Sequence, residues 1–229
     1  MGRALRAAEG GLTYHALNRG NGRLVLFEDA GDYDAFVRVL AEAVARFRVR
    51  LLAFCVMPNH FHLVLRPTAD GELSRFMGWL TLTHTQRWHS HRHSAGSGPI
   101  YQGRFKSFPV QDDEHLYTVC RYVERNALRV GLVSRAEDWR WGSLRRDCPA
   151  TDDTPFPALS PWPVSRPVNW LARVNKPLSP AEDEAIKRSL DRCQPFGASA
   201  WCEETARRLG LESTMRPRGR PKKEGKNGP

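Results

Sequence analysis

Apolar residues recur along this chain with two different periods, which predicts a domain that mixes helices and strands. Spacings of three and four residues indicate helices over 29–48, 72–91 and 113–128, and β-rich runs indicate strands over 12–18, 49–56, 60–65 and 105–111. Asp29 or Asp32 is expected to cap the first helix. Pro58 and Asn59 are typical turn residues, so the strands that flank them are expected to form a hairpin.

The helical and strand pattern weakens after Gly131. Six prolines between residues 149 and 167 indicate a linker, and short helices are predicted over 179–191 and 198–209, with Trp201 and Leu209 as anchors. The final segment is basic and is expected to be disordered when free. These features divide the chain into a first domain at 1–148, a linker with a small, mostly helical or irregular extension at 149–210, and a basic tail at 211–229.

Composition narrows the class of partner. The chain has 229 residues, 41% of them hydrophobic, and a formal net charge of +10, which favours a polyanion such as nucleic acid over a merely basic soluble protein. Its five cysteines are scattered without a C-x-x-C pair, which is typical of reduced thiols in the cytosol. No apolar run reaches the ~18 residues of a membrane span. We therefore expect a cytoplasmic, nucleoid-associated protein with no membrane partner.

Two histidines mark the strand that starts after the predicted turn. Successive strand side chains point to opposite faces, so His60 and His62 share one face with Val64, while Phe61 and its apolar neighbours occupy the other. Two imidazoles a few Å apart suit one divalent cation. The motif predicts a metal site on this face of the sheet, although an H-x-H pair alone is a weak signal.

The helix predicted over 113–128 carries a tyrosine beside a polar face. Tyr122 and Asn126 are four residues apart and lie on one stripe with Arg129, with Arg125 at its edge, whereas Tyr117 points well away. Taken alone, Tyr122 is explained better as a half-buried tyrosine with a hydrogen-bonded hydroxyl. Placed next to a metal on the His60 strand, it becomes a candidate nucleophile.

Together these residues predict phosphoryl transfer. His60, His62 and Asn126 form a nitrogen–nitrogen–oxygen set that suits Mg²⁺ or Mn²⁺ and leaves positions for substrate oxygens. The Asp and additional His of H-x-H-x-D-H zinc hydrolases are absent after His62, which favours a role in polarising phosphate over activating water. Attack by the Tyr122 hydroxyl would give a 5′-phosphotyrosine and free a 3′-OH.

Basic and polar residues elsewhere are candidates for contacting DNA. They comprise Arg19, Arg23, Gln102, Arg104, Lys106, Arg125, Arg129, Arg218 and Arg220. The segment 100–106 combines aromatic and basic residues, which allows bases to stack while cations hold the backbone; its alternative is a surface β-segment. Arg218-Gly219-Arg220-Pro221 resembles an AT-hook, but a generic basic tail explains it better.

Three segments together make a family resemblance specific. Met57-Pro58-Asn59-His60-Phe61-His62-Leu63, Gln102-Gly103-Arg104-Phe105-Lys106 and Arg121-Tyr122-Val123-Glu124-Arg125-Asn126 resemble the REP-associated tyrosine transposases, which belong to the single-tyrosine HUH transposases of insertion sequences. The resemblance covers roughly residues 12–146. It implies an α+β fold, with a central antiparallel sheet flanked by helices around a ferredoxin-like or RRM-like core.

The resemblance also implies a function. It assigns His60, His62 and Asn126 as metal ligands and Tyr122 as the nucleophile of a single-strand DNA endonuclease and strand transferase. The implied substrate is a single-stranded DNA hairpin with a short flanking recognition sequence, bound by a monomer or homodimer. Family members commonly have Asn-Pro where this chain has Asn126-Ala127. Because alanine favours a helix, we expect this helix to continue one turn further.

Two rival functions remain open on the sequence alone. The first is a protein that binds DNA hairpins without cutting them, such as a domesticated regulator. The second is a protein that binds RNA hairpins. A Tyr122→Phe substitution distinguishes the enzyme from the first rival, because only the enzyme forms a covalent DNA adduct that the substitution can abolish. Competition with an RNA hairpin separates the second, because the 2′-OH and the A-form grooves change recognition.

Overall fold

The computed structural model describes residues 8–147 and 156–216, and its centre is a four-stranded antiparallel sheet. The strands lie in the order β2-β3-β1-β4, where β1 is Thr13–Arg19, β2 is Val49–Met57, β3 is His60–Pro67 and β4 is Lys106–Val110. This sheet confirms the predicted fold class. Each predicted strand is present within one or two residues of its expected ends.

Helices cover both faces of the sheet. Within the described residues they are α1 (Ala30–Arg46), α2 (Glu72–His91), α3 (Glu114–Glu124), α4 (Asn126–Arg129), α5 (Trp170–Asn175), α6 (Pro180–Arg192), α7 (Ser199–Leu209) and α8 (Glu212–Met215). The Asp29 side chain accepts a hydrogen bond from the Asp32 amide, which confirms it as the cap of α1. None of the described helices has the length and apolar character that crossing a bilayer requires.

The β2–β3 hairpin places the two histidines. Met57 pairs with His60 and Cys55 with His62, so the turn at Pro58 and Asn59 joins the strands as predicted. On one face of β3, Phe61 is buried and its ring lies 4.8 Å from that of Phe36 on α1. The opposite face carries His60 and His62 and packs against α3. The predicted division of β3 into an apolar face and a histidine face is confirmed.

The helix that carries Tyr122 is not continuous, which corrects the expectation that it extends one turn further. The α3 helix ends at Glu124, and a separate turn, α4, follows from Asn126. Arg125 between them has φ −84° and ψ −4°, in the bridge region, where a helix tightens or turns. Residues 126–129 are thus helical, but they form a separate turn after a one-residue break at Arg125.

The C-terminal extension packs back onto the sheet domain. The Trp162 indole donates to the Leu52 carbonyl oxygen over 3.0 Å, and Phe196 forms a parallel bridge with Val110 at the end of β4. The α6 and α7 helices match the predicted pair, whereas α5 was not predicted. Trp170, the first residue of α5, is 2% exposed. The extension therefore joins the hydrophobic core of the sheet domain.

Two details of the predicted extension need correction. Trp201 and Leu209 are only partly buried, and the buried residues of α7 are Cys202, Thr205 and Ala206. Because these three recur at spacings of three and one, they form the inner stripe of the helix. The ordered chain also continues into α8, beyond the boundary predicted at residue 210. The basic tail from residue 217 lies outside the described residues.

Candidate active site

The sheet register brings a basic residue beside the two histidines. In the antiparallel pairing of β1 with β3, Arg19 lies opposite His60 and Leu17 lies opposite His62. Directly opposed residues share a face, so Arg19 accompanies the histidine pair. The ring centroids of His60 and His62 are 4.9 Å apart and their planes are nearly perpendicular.

Neighbouring side chains hold both imidazoles through Nδ1. His60 Nδ1 lies 2.7 Å from Asn59 Oδ1, and His62 Nδ1 lies 2.9 Å from Nε2 of His15. Among the described residues no hydrogen bond involves Nε2 of either His60 or His62. Metal-binding histidines commonly use one ring nitrogen for the metal and the other for an orienting partner. The two Nε2 atoms are therefore the nitrogens available to a ligand.

Burial keeps these imidazoles neutral. It lowers the pKa of His60 to about 4, with smaller contributions from Arg19 and Arg129. Burial also holds the pKa of His62 well below its ordinary value, and the neighbouring His60 and His15 lower it further. A neutral imidazole is the form that coordinates a cation.

Tyr122 lies against the histidine pair from the α3 side. Its ring centroid is 5.7 Å from that of His62, with the two planes perpendicular. The Arg129 guanidinium carbon lies 5.1 Å from the tyrosine ring centroid. Tyr122 is only 4% exposed, so it is more deeply buried than its predicted position on a polar stripe of the helix suggested. Burial raises the pKa of Tyr122, whereas Arg129 opposes that effect.

Asn126, four residues after this tyrosine, is fully buried and has an unsatisfied amide nitrogen. Its Oδ1 accepts from Nη2 of Arg129 over 3.3 Å, and its Nδ2 is buried with no hydrogen-bond partner among the described residues. Buried polar atoms are nearly always satisfied. The orphaned Nδ2 is a hydrogen-bond donor, so the partner it lacks is an acceptor, whereas Oδ1 is the atom of this side chain that could bind a cation.

The residues present fit a divalent cation with open coordination positions. Two neutral imidazoles with available Nε2 atoms supply nitrogen donors, and Asn126 Oδ1 supplies an oxygen donor, because it has a second lone pair besides the one that accepts from Arg129. Over the described ranges there is no cluster of three or more His, Cys, Asp or Glu side chains arranged to hold a metal. The candidate ligands His60, His62 and Asn126 differ from such a cluster, because the third ligand is an asparagine.

Most of the predicted DNA-binding residues lie exposed near one end of the sheet. Arg19, Arg23, Gln102, Arg104 and Lys106 are exposed, and the Gln102 amide donates to the Arg19 carbonyl oxygen over 2.8 Å. This bond holds the loop after α2 against the end of β1. The His60 end of β3 lies at the same end of the sheet.

The other predicted contacts divide into three groups. Arg129 is exposed and contacts Tyr122. Arg125 is directed to the extension, where its guanidinium donates to the Val174 and Asn175 carbonyl oxygens over 3.5 and 3.1 Å. The two tail arginines at positions 218 and 220 lie outside the described residues.

The stacking surface expected over 100–106 is absent from the structure as described. Tyr101 and Phe105 are 6% and 7% exposed, and the Tyr101 hydroxyl is hydrogen-bonded to His84 over 2.7 Å. Both rings belong to the hydrophobic core, and a backbone bridge between Tyr101 and Gly20 holds the loop alongside the end of β1. The polar and basic residues between them are left as the exposed part of this segment.

Sequence reasoning missed one residue of this site. His15 is 0% exposed and contacts His62, but a single histidine inside a strand gives no local signal for that contact. The available signal was alternation along β1, which places His15 on the same face as Leu17 and Arg19. Using it required the pairing register of β1 with β3, which the sequence does not reveal.

Comparison with known proteins identifies the family. The model of the family described as "Transposase IS200 like" matches residues 9–126, just over half of the chain and a range that includes His60, His62, Tyr122 and Asn126. Among curated proteins, no match was found.

A solved transposase structure shares the fold. A REP-associated tyrosine transposase bound to a REP hairpin superimposes with a TM-score of 0.53 at 16% identity, covering 73% of this chain and 99% of that one. A candidate transposase from Deinococcus radiodurans R1 gives a TM-score of 0.38 at 21% identity, covering 53% and 95% of the two chains. On the family match, with the sheet and helices in the same arrangement, this chain belongs to the IS200-like transposase family.

Proposed function

We propose that this transposase is a metal-dependent enzyme that nicks and rejoins single-stranded DNA beside repeat hairpins through Tyr122. The observation that carries the proposal is the position of the Tyr122 ring, 5.7 Å from His62 and beside two imidazoles whose Nε2 atoms are available. The nucleophile and the cation site must lie next to each other so that one phosphate group can contact both at once.

Charge supports a DNA substrate. The exposed cations Arg19, Arg104 and Lys106 lie near the end of the sheet where β3 begins, and the chain carries a net charge of +10. The structural neighbour with a REP hairpin shares this fold. We extend its ligand class to this chain: a single-stranded DNA hairpin with a short flanking recognition sequence.

In the proposed reaction the Tyr122 oxygen attacks the phosphorus next to the hairpin. The phosphorus–O3′ bond breaks, the tyrosine loses its proton, and the leaving oxygen becomes a 3′-OH. A 5′-phosphotyrosine holds the other DNA end. Attack by a second 3′-OH reverses these bond changes and restores the free tyrosine, so the phosphodiester bond is conserved without an external energy source.

The surrounding residues would bind and stabilise the reacting phosphate. Arg129, in contact with both Tyr122 and Asn126, is placed to offset charge on the non-bridging oxygens. His60, His62 and Asn126 would hold Mg²⁺ or Mn²⁺, which when bound supplies Lewis-acid polarisation of a phosphate oxygen. The low exposure of Tyr122 would limit access of water to the covalent intermediate.

A denaturing gel tests the proposal. Wild-type protein is incubated with a panel of single-stranded hairpin oligonucleotides from genomic repeats, with Mg²⁺, Mn²⁺ or EDTA. We expect a denaturant-resistant adduct that requires metal and disappears in Tyr122→Phe. Tyr117→Phe is the matched control, because Tyr117 is on the same helix but donates to the Ser165 carbonyl oxygen. Tight hairpin binding without an adduct, across metals and substrates, would assign this chain to a binding role without cleavage.

A further inference from the structure

We propose that His15 is a positioning residue that orients His62 and directs its Nε2 lone pair toward the metal. The proposal deepens the function proposed above and rests on it. His15 is on β1, outside the H-x-H motif, and the register with β3 places it opposite Val64, diagonally next to His62. The two rings stack at 5.0 Å between centroids, with Nε2 of His15 2.9 Å from Nδ1 of His62.

The hydrogen bond between these rings permits two proton arrangements. A single proton lies between the two nitrogens, because each neutral imidazole has one N–H. If His15 donates, Nδ1 of His62 is the acceptor, so the single N–H of His62 is at Nε2. That nitrogen then has no lone pair for a cation. If His62 donates from Nδ1, its Nε2 is a free ligand. A metal on His62 therefore requires His15 to act as the acceptor.

The surroundings of His15 indicate that packing alone does not explain a histidine here. His15 is fully buried, and its Nδ1 has no hydrogen-bond partner among the described residues. Its ring otherwise packs on Phe108, with centroids 5.0 Å apart. An apolar side chain would fill this space without the unsatisfied Nδ1, but it would leave Nδ1 of His62 without its partner. The one polar contact of His15 is with His62, so that contact is the property a histidine supplies here.

His15 is not itself placed as a ligand. Its Nε2 is occupied by His62, and the three histidines of this face do not form a metal-binding cluster in the structure as described. Orienting partners of this kind typically change metal affinity by about 10–100-fold when removed. The expected effect is therefore on the strength of metal binding, with the ligand set unchanged.

Two amide substitutions test this role at nearly constant polarity. In His15→Gln the side-chain oxygen reaches the position of the lost Nε2 and still accepts from His62. In His15→Asn the same amide is one methylene too short. His84→Gln is the control, because His84 is also a buried histidine but contacts Tyr101 and Phe36 on the opposite side of the sheet.

The first readout is Mn²⁺ affinity of the full-length protein without DNA, measured from free Mn²⁺ by electron paramagnetic resonance. We expect His15→Asn to weaken binding about 10–100-fold, and His15→Gln and His84→Gln to stay within about threefold of wild type. Equal affinities of wild type and a folded His15→Asn would overturn the positioning role. Wild type that binds no Mn²⁺ and forms no DNA adduct would instead overturn the proposed function, and this inference with it.

The second readout needs no variant and covers the case in which His15→Asn does not fold. Long-range ¹H–¹⁵N spectra of wild type with saturating Mg²⁺ report which nitrogen of each ring is protonated. We expect His62 protonated at Nδ1, with a through-hydrogen-bond ¹⁵N–¹⁵N coupling to Nε2 of His15. Protonation of His62 at Nε2 in the Mg²⁺-saturated protein would contradict the proposal.

Discussion

Trp170 of the C-terminal extension donates its indole N–H to the Glu124 carboxylate over 2.6 Å, at the end of the helix that carries Tyr122. The other Glu124 oxygen accepts from Ser143 over 2.7 Å. Burial raises the pKa of Glu124, and these two hydrogen bonds oppose the shift. A segment that the family match does not cover thus braces the helix that presents the candidate nucleophile.

We predict that Trp170→Phe destabilises the protein more than Trp162→Phe does. The two indoles pack against each other in one aromatic cluster. Trp170 donates to a buried carboxyl group, whereas Trp162 donates to a backbone carbonyl oxygen. Hydrogen bonds to charged groups contribute roughly 1.5–3 kcal/mol, against about 1 kcal/mol for neutral pairs. Chemical denaturation of the two variants measures the difference. Equal losses would mean that the Glu124 contact adds nothing beyond packing.

Arg129 and Arg125 are predicted to differ in their effect on chemistry. Arg129 contacts Tyr122, whereas Arg125 binds carbonyl oxygens of the extension. Removing one preorganised charge donor lowers a rate on the order of 10²-fold. We expect Arg129→Gln to slow adduct formation by about that factor at saturating DNA, and Arg125→Gln to change it less than about threefold while lowering the melting temperature. Similar rates of adduct formation for both variants would show that Arg129 does not stabilise the reacting phosphate.

Asp32 predicts a measurable dependence of stability on pH. Although burial raises its pKa, hydrogen bonds from Arg92 and the Glu28 amide hold the pKa below its ordinary value. A carboxyl with a lowered folded pKa stabilises above its unfolded pKa, about 3.9, and this contribution is lost as pH falls through the folded value. We expect Asp32→Asn to cost roughly 1–3 kcal/mol at pH 7 and progressively less below about pH 4. Urea unfolding at several pH values tests this, and a constant difference would contradict it.

Deletion of residues 217–229 is predicted to weaken DNA binding without changing sequence preference. The segment carries Arg218, Arg220, Lys222, Lys223 and Lys226. Each lost phosphate contact makes the salt dependence shallower by about 0.7–0.9 in the slope of log K against log salt. Binding to A·T and G·C duplexes, with and without the segment, measures this. We expect equal losses on both, whereas a loss confined to A·T tracts would support an AT-hook.

The sequence predicted the elements that local pattern determines. The helix periodicity, the turn at Pro58 and the alternation along β3 each depend on neighbouring residues, so the hairpin and the two faces of β3 followed directly. The resemblance to a known family added the arrangement of the sheet.

The remaining features depend on contacts between distant residues. His15 meets His62 only because β1 inserts between β3 and β4, and Trp170 meets Glu124 only because the extension folds back. Tyr101 and Phe105 fit a stacking surface by composition, but tertiary packing places them in the core. The break at Arg125 likewise has no strong local breaker, because alanine follows Asn126.

The central claim is that Tyr122 forms a covalent bond to a 5′-phosphate. The most direct test digests the purified adduct and identifies the modified peptide by mass spectrometry, using hairpins labelled at either the 5′ or the 3′ end. The account predicts a nucleotide mass on Tyr122, with the 3′ label retained by the protein and the 5′ label released on a fragment with a 3′-OH. A modified residue other than Tyr122, or retention of the 5′ label, would contradict it.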